Sequence, residues 1–213
     1  MVDLLSRKSG VTSGVVTPSE AVTATAPGPR ERLLAAAQRL TATHGVGVGV
    51  DAILEDASVA RRSLYQHFGS KDALIAESLR DSARLDEARY RAALDSAGTD
   101  PHARILAVFA TLDATTSAPG YRGCRYVAAE LSLSDPGHPA HAVTREYTER
   151  LRVIFADELT ALGHPQPRQG AEQLVVLIDG VLVLGAINPE SHPARVVLPL
   201  VESILDAARS GVE

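Results

Sequence analysis

Apolar residues recur three and four positions apart almost continuously from Arg30 onward, and no stretch alternates strictly enough to predict a strand. The pattern predicts an all-α chain of about nine helices. Leu33, Ala37 and Leu40 mark one face of a first helix that opens after Pro29 and stops at Gly45. The run Gly45-Val46-Gly47-Val48-Gly49 cannot sustain a helix, because each glycine adds backbone entropy that folding must remove. A second helix is expected over Val50–Ala57 with Ile53 and Ala57 inward. A turn at Ser58-Val59 follows, then a third short helix over Ala60–Phe68 that Gly69 ends.

Ser70 is placed to cap a longer fourth helix, with Asp72 in its first turn favoured by the helix dipole. Leu74, Ser78, Leu85 and Ala88 carry it towards Ala97. Asp100-Pro101 pairs an N-cap with proline at the first helical position, and Ile105, Val108, Phe109, Leu112 and Thr116 then repeat on one face. Further helices are expected at 122–133, 139–162 and 169–187. A last one begins between Ala194 and Pro199, with Pro199 starting or kinking it, and ends near Arg209. Residues 1–29 contain three prolines and no usable period, and read as a flexible arm. The organisation expected is therefore an arm (1–29), a three-helix head (30–75) and a helical body (76–213).

Composition narrows the function. One cysteine, Cys124, excludes a disulfide framework and a thiolate-rich zinc site within one chain. The longest apolar run, Leu174 to Ile187, is interrupted by Asp179 and is short of a bilayer span, so a cytoplasmic protein without a membrane partner is expected. No cofactor motif emerges. The net charge of −5 argues against nucleic acid until the chain is divided: residues 1–80 carry 9 Lys and Arg against 8 acids, whereas residues 81–213 carry 12 against 18. An acidic body on a mildly positive head is compatible with local phosphate binding.

Three short helices in about 40 residues, the second and third joined by a tight turn, are the layout of a helix-turn-helix. A helix about 10–12 Å across fits a major groove about 12 Å wide. On the third helix, Leu64 and Phe68 define a buried side. Arg62 and Gln66 fall opposite, with Ser63 and Tyr65 on the flanks, and all four can hydrogen-bond base edges or phosphates. Arg61 lies nearer the side. Lys71 sits by the free N–H groups that open the next helix, where a phosphate is welcome.

The stretch from Arg30 to Leu79 resembles the DNA-binding domain of the TetR family of transcriptional repressors. The resemblance is carried above all by Leu64-Tyr65-Gln66-His67-Phe68, the small turn Gly69-Ser70, Lys71 and Ala73-Leu74. Tyr121-Arg122-Gly123-Cys124, the loop Asp135–Pro139 and Asp179-Gly180 resemble the C-terminal domain of one actinobacterial subset of that family. The resemblance implies a homodimer that binds a palindromic operator on double-stranded DNA and responds to a small apolar effector. It implies base contacts from Arg61, Arg62, Ser63 and Tyr65, and phosphate contacts from Tyr65, His67 and Lys71. Three positions depart from the family pattern. Gly49 and Ala60 replace Ser or Thr where the family caps its second and third helices, and Arg62 replaces a small residue, which suggests an altered base preference.

For the effector, the resemblance points to helices that carry Phe109, Leu112, Asp113, Thr116, Tyr121, Tyr126, His141, Tyr147, Leu151, Gln173 and Leu177, apolar walls with a few polar anchors. It also implies a four-helix bundle across the dimer, dividing Leu174, Leu177, Val181 and Leu184, with Leu200, Ile204 and Ala208, between core and interface. Asp135, His138 and His141 have metal-like spacing but read as a loop and helix start, so no metal is expected; Cys124 reads as a small hydrophobe rather than a redox sensor. No nucleophile–base–acid set supports a rival enzyme. An effector-blind DNA binder would show little operator preference.

Overall fold

The computed structural model describes residues 26–207. In chain order the helices are α1 (Pro29–His44), α2 (Val50–Ala57), α3 (Arg61–Phe68), α4 (Lys71–Ser96), α5 (Pro101–Thr116), α6 (Arg125–Ser132), α7 (Ala140–Ala161), α8 (Pro167–Ile187), α9 (Pro193–Val196) and α10 (Leu198–Asp206), with a 3₁₀ turn at Pro189–Ser191. Among the described residues there is no strand. The expectations for the arm up to residue 25, for Ala208 and for a helix end at Arg209 lie outside them.

The head forms from strong local stops. Pro29 occupies the first helical position of α1, where a missing N–H costs nothing, and the Glu31 carboxylate accepts the Gly28 N–H at 2.9 Å. Gly45 ends α1 at φ 75°, a conformation that favours glycine. Val46 and Val48 then turn into the core while Gly47 and Gly49 face outward. Neither α2 nor α3 has a side-chain cap, because Gly49 and Ala60 stand at their N-caps. Ala60 thus precedes α3 rather than belonging to it.

α4 joins head to body without a break across the expected boundary at residue 75. Ser70 Oγ accepts the Ala73 N–H at 3.0 Å, and the helix runs 26 residues, about 39 Å at about 1.5 Å per residue. Near its start Glu77 pairs with Arg30 of α1 at 3.4 Å. Farther along, Asp86 accepts from Tyr126 of α6 at 2.7 Å and Glu87 pairs with Arg150 of α7 at 3.0 Å. Leu85 and Ala88, expected on the packed face, are exposed, Leu85 at 64%. The buried face keeps the expected Leu74 and Ser78 and otherwise consists of Ile75, Ala76, Leu79, Ser82, Ala83, Tyr90, Ala93 and Leu94.

In the body, α7 and α8 pack along each other while α5 lies against α4, α7 and α8. The five periodic residues of α5 are all buried. α8 crosses so close to the end of α5 that a Cβ on Gly185 would lie 2.6 Å from the Thr116 Cβ, which accounts for the glycine. Counted from Pro167, α8 is long and apolar enough by length and composition to cross a membrane, contrary to the expectation from its second half. Its buried side, including Leu174, Ile178 and Val181, belongs to the core. Val176, Val183, Leu184 and Ile187 are exposed on the other side. The single last helix expected from sequence is divided: His192 takes a left-handed φ of 45°, α9 ends at Val196, and Pro199 lies in the first turn of α10, so it starts that helix.

Candidate nucleic-acid interface and a cavity beside it

Leu64, fully buried, anchors α3 against α1 and α4. Phe68 closes the same side, its ring 5.3 Å beneath the Arg30 guanidinium. The opposite face carries Arg61, Arg62, Tyr65, Gln66 and His67, all exposed, with Ser63 half-buried. Tyr65 is 50% exposed. The Arg61 guanidinium is turned back to Asp51 in the first turn of α2. That pairing, with help from Tyr65, raises the arginine further above its already high pKa. Sequence reasoning missed Asp51, which brings a carboxylate to this face. Lys71 donates to the Val48 carbonyl at 3.1 Å, tying the glycine-valine loop to the start of α4. An ammonium has three donors, so two remain for another acceptor.

Beside the head lies a cavity of about 720 Å³ between the end of α1 and the body. Its head wall is Thr41–Thr43, Gly45 and Val46; its body wall runs from Thr115 through Ala129 and includes Tyr90, Tyr147 and Leu182. Tyr126 and Tyr147 stack with ring centroids 4.0 Å apart. A second cavity of about 490 Å³ also touches Tyr126 and Tyr147, with Thr144, Leu151, Arg152 and Asp179 among its lining residues. Burial raises the Asp179 carboxyl above the usual range, partly offset by Arg152.

Of the effector-site residues expected from sequence, Tyr121, Tyr126, Tyr147 and Leu151 line these cavities. The others are corrected by packing. Phe109, Leu112 and Thr116 are buried in the core of α5. Asp113 is held by Arg195 at 2.8 Å and lies 3.5 Å from His192, away from either lining. Gln173 is exposed on α8, and Leu177 is half-buried against the core. His141 pairs with Glu130 at 3.0 Å, which raises the imidazole pKa and, with the Thr144 hydroxyl, lowers that of the carboxyl. His138 lies 3.5 Å from Asp72 at the start of α4, so both histidines join neighbouring elements. Burial pushes the Cys124 thiol up to about 11, which leaves it a poor nucleophile at neutral pH. The lining residues that sequence reasoning missed are chiefly Asp86, Arg89, Arg122 and Arg125 and the end of α1.

Comparison with known proteins agrees with this architecture. The family described as "Bacterial regulatory proteins, tetR family" matches residues 33–78. A putative TetR transcriptional regulator (sav143) of Streptomyces avermitilis is 36% identical, over 86% of this chain and 99% of its own, with a TM-score of 0.74. SCO4454 of Streptomyces coelicolor, a TetR-family transcriptional regulator, is 29% identical over 84% of this chain and 95% of its own, with a TM-score of 0.77. The HTH-type transcriptional regulator YjdC of Escherichia coli is 26% identical over 84% of this chain and 95% of its own.

Proposed function

The chain belongs to the TetR family of bacterial transcriptional regulators, and on that premise we propose that it is a cytoplasmic repressor that binds a palindromic operator as a homodimer and releases it when a small effector occupies the body. The observation that carries the proposal is the division of α3 between a fully buried Leu64 and a solvent face of Arg62, Tyr65 and Gln66. That face enters the major groove, with Arg62 and Gln66 reading base edges, Arg61, Ser63 and Tyr65 at the margins, and His67 and Lys71 on phosphates. The uncapped N-termini of α2 and α3 leave backbone N–H groups for the same phosphates. Two heads related by twofold symmetry require half-sites about 34–36 Å apart, one helical turn.

Release requires an effector that distinguishes two head spacings. Reversing a 99:1 preference needs about 5.5 kcal/mol of differential affinity. α4, rooted in the head at Ser70 and in the body at Asp86 and Glu87, transmits it. Regulators of this family are not enzymes, and the proposal assigns no catalysis.

The experiment is a binding selection from random duplexes with the full chain, repeated with Arg62→Ala. The expected motif is an inverted repeat. Arg62→Ala relaxes it at one position per half-site, a loss of about 1–3 kcal/mol for a bidentate base contact. An identical motif from both proteins would overturn the assignment of α3 to the groove.

A further inference from the structure

We propose that the cavity between head and body binds an amphiphilic organic anion, a carboxylate on an aromatic or alicyclic body, and that its occupant touches head and body at once. This rests on the effector-responsive reading above and names the class of effector and where it acts.

The sign of the ligand follows from the charges on the wall. Three arginines, Arg89, Arg122 and Arg125, face one acid, Asp86. That acid is already engaged: it accepts from the Tyr126 hydroxyl at 2.7 Å, pairs with Arg89 at 3.1 Å and lies 3.9 Å from Arg125. Arg125 also donates to Ser82 Oγ at 2.9 Å. Arg122 has no hydrogen-bond or ion-pair partner among the described residues, so the fold makes no use of its charge. The wall therefore holds a surplus of positive charge within a chain of net charge −5. A cation finds no open carboxylate there. A carboxylate finds an unengaged guanidinium, whose planar fork matches two carboxylate oxygens.

The apolar part of the ligand follows from the rest of the wall. Tyr90, Tyr121, Tyr126 and Tyr147 line this space together with Leu79, Val46 and Leu182. The Tyr121 hydroxyl is consumed by the Leu182 carbonyl at 2.9 Å and that of Tyr126 by Asp86, so these rings present faces and edges rather than open donors. Such surfaces receive flat hydrocarbon bodies.

The position of the cavity couples it to the head. Ala42, Thr43 and Val46 lie where α1 hands over to the loop that leads into α2 and α3, opposite the Ala118–Arg125 segment of the body. An occupant wedged between the two fixes their separation. By reciprocity, any head position that reshapes the cavity changes ligand affinity by the same factor as ligand changes that position.

The test is isothermal titration calorimetry of the full chain with 2-naphthoate and with its neutral analogue 2-naphthamide, without DNA. Naphthoate is expected to bind once per chain and about tenfold or more tighter than the amide, the worth of one charge-assisted hydrogen bond. Arg122→Gln, which loses no internal contact, should remove that preference and leave naphthamide affinity unchanged. Ala42→Phe, which fills the cavity from the exposed head side, should weaken both ligands. Absence of naphthoate binding, equal affinity for the two compounds, or indifference to Arg122→Gln overturns the anion site. Indifference to Ala42→Phe overturns the contact with the head. Because no operator enters these measurements, their failure is distinct from failure of the DNA-binding proposal, which the selection experiment decides alone.

Discussion

At Asp51 two demands on one carboxylate conflict. In the first turn of α2 it suits the positive end of the helix, and it holds the Arg61 guanidinium. On a face proposed to meet phosphates, the same charge repels the ligand and occupies an arginine that would otherwise serve it. Its side chain is well exposed, so solvent screens the ion pair and it adds little to the stability of the head. Asp51→Asn should therefore leave folding almost unchanged while tightening binding to random duplex several-fold at low salt. Freeing Arg61 adds about one phosphate contact, which steepens the dependence of log K on log salt by about 0.9. Fluorescence anisotropy titrations between 50 and 200 mM salt measure that slope, and an unchanged slope would refute the antagonism. The outward positions of Arg62, Tyr65 and Gln66 on α3 were legible from the spacing of Leu64 and Phe68, whereas His67 came from the family resemblance. Asp51 was not, because a partner ten residues away is set by the angle at which α2 and α3 pack.

Helix ends were legible where a residue dictates them chemically. Pro29, Gly45, Gly69, Ser70 and the Asp100-Pro101 pair each stop or start a helix for a local reason, and the structure puts the ends there. Leu85 was misjudged because an apolar residue at helical spacing says nothing of what lies opposite it. The proline-rich segment 189–199 was ambiguous because proline fits the first turn of several alternative helices. The start of α3 offers a direct check of this local logic. Ala60 has the extended backbone of an N-cap, φ −67° and ψ 144°, but no side-chain oxygen. Ala60→Ser supplies the acceptor and should stabilise the protein by about 1 kcal/mol, read as a higher urea midpoint at unchanged slope. A midpoint that does not move would mean that the N–H groups opening α3 are satisfied by water at no cost.

Whether an apolar residue lines a cavity, fills the core or faces another chain is decided by the whole molecule. Tyr121, Tyr126 and Tyr147 were legible as cavity walls from the family resemblance, whereas Tyr90, which lines the same cavity, was not. Phe109 and Leu112 were not separable from core by periodicity, and the head wall of the cavity exists only where two units approach. The same ambiguity holds for α8. Positions 173, 176, 180, 184 and 187, three or four apart, form one stripe, and it includes Val176, Leu184 at 51% and Ile187 at 73% exposure. At Gly180 a Cβ would meet nothing within 4 Å, so no neighbour among the described residues accounts for the glycine, and its bare backbone permits a second helix to approach. With Leu200 of α10 also exposed, this stripe is the face on which a twofold-related copy is expected to pack, as the proposed operator geometry requires. An isologous contact places Leu184 near its own symmetry mate, so Leu184→Glu introduces two like charges into an apolar interface. The variant should remain helical by circular dichroism, sediment as a monomer where the parent sediments as a dimer, and lose operator binding by orders of magnitude, because only one half-site is then engaged. A Leu184→Glu protein that still sediments as a dimer would move the interface elsewhere. A parent chain that is itself monomeric would remove the twofold basis of operator recognition.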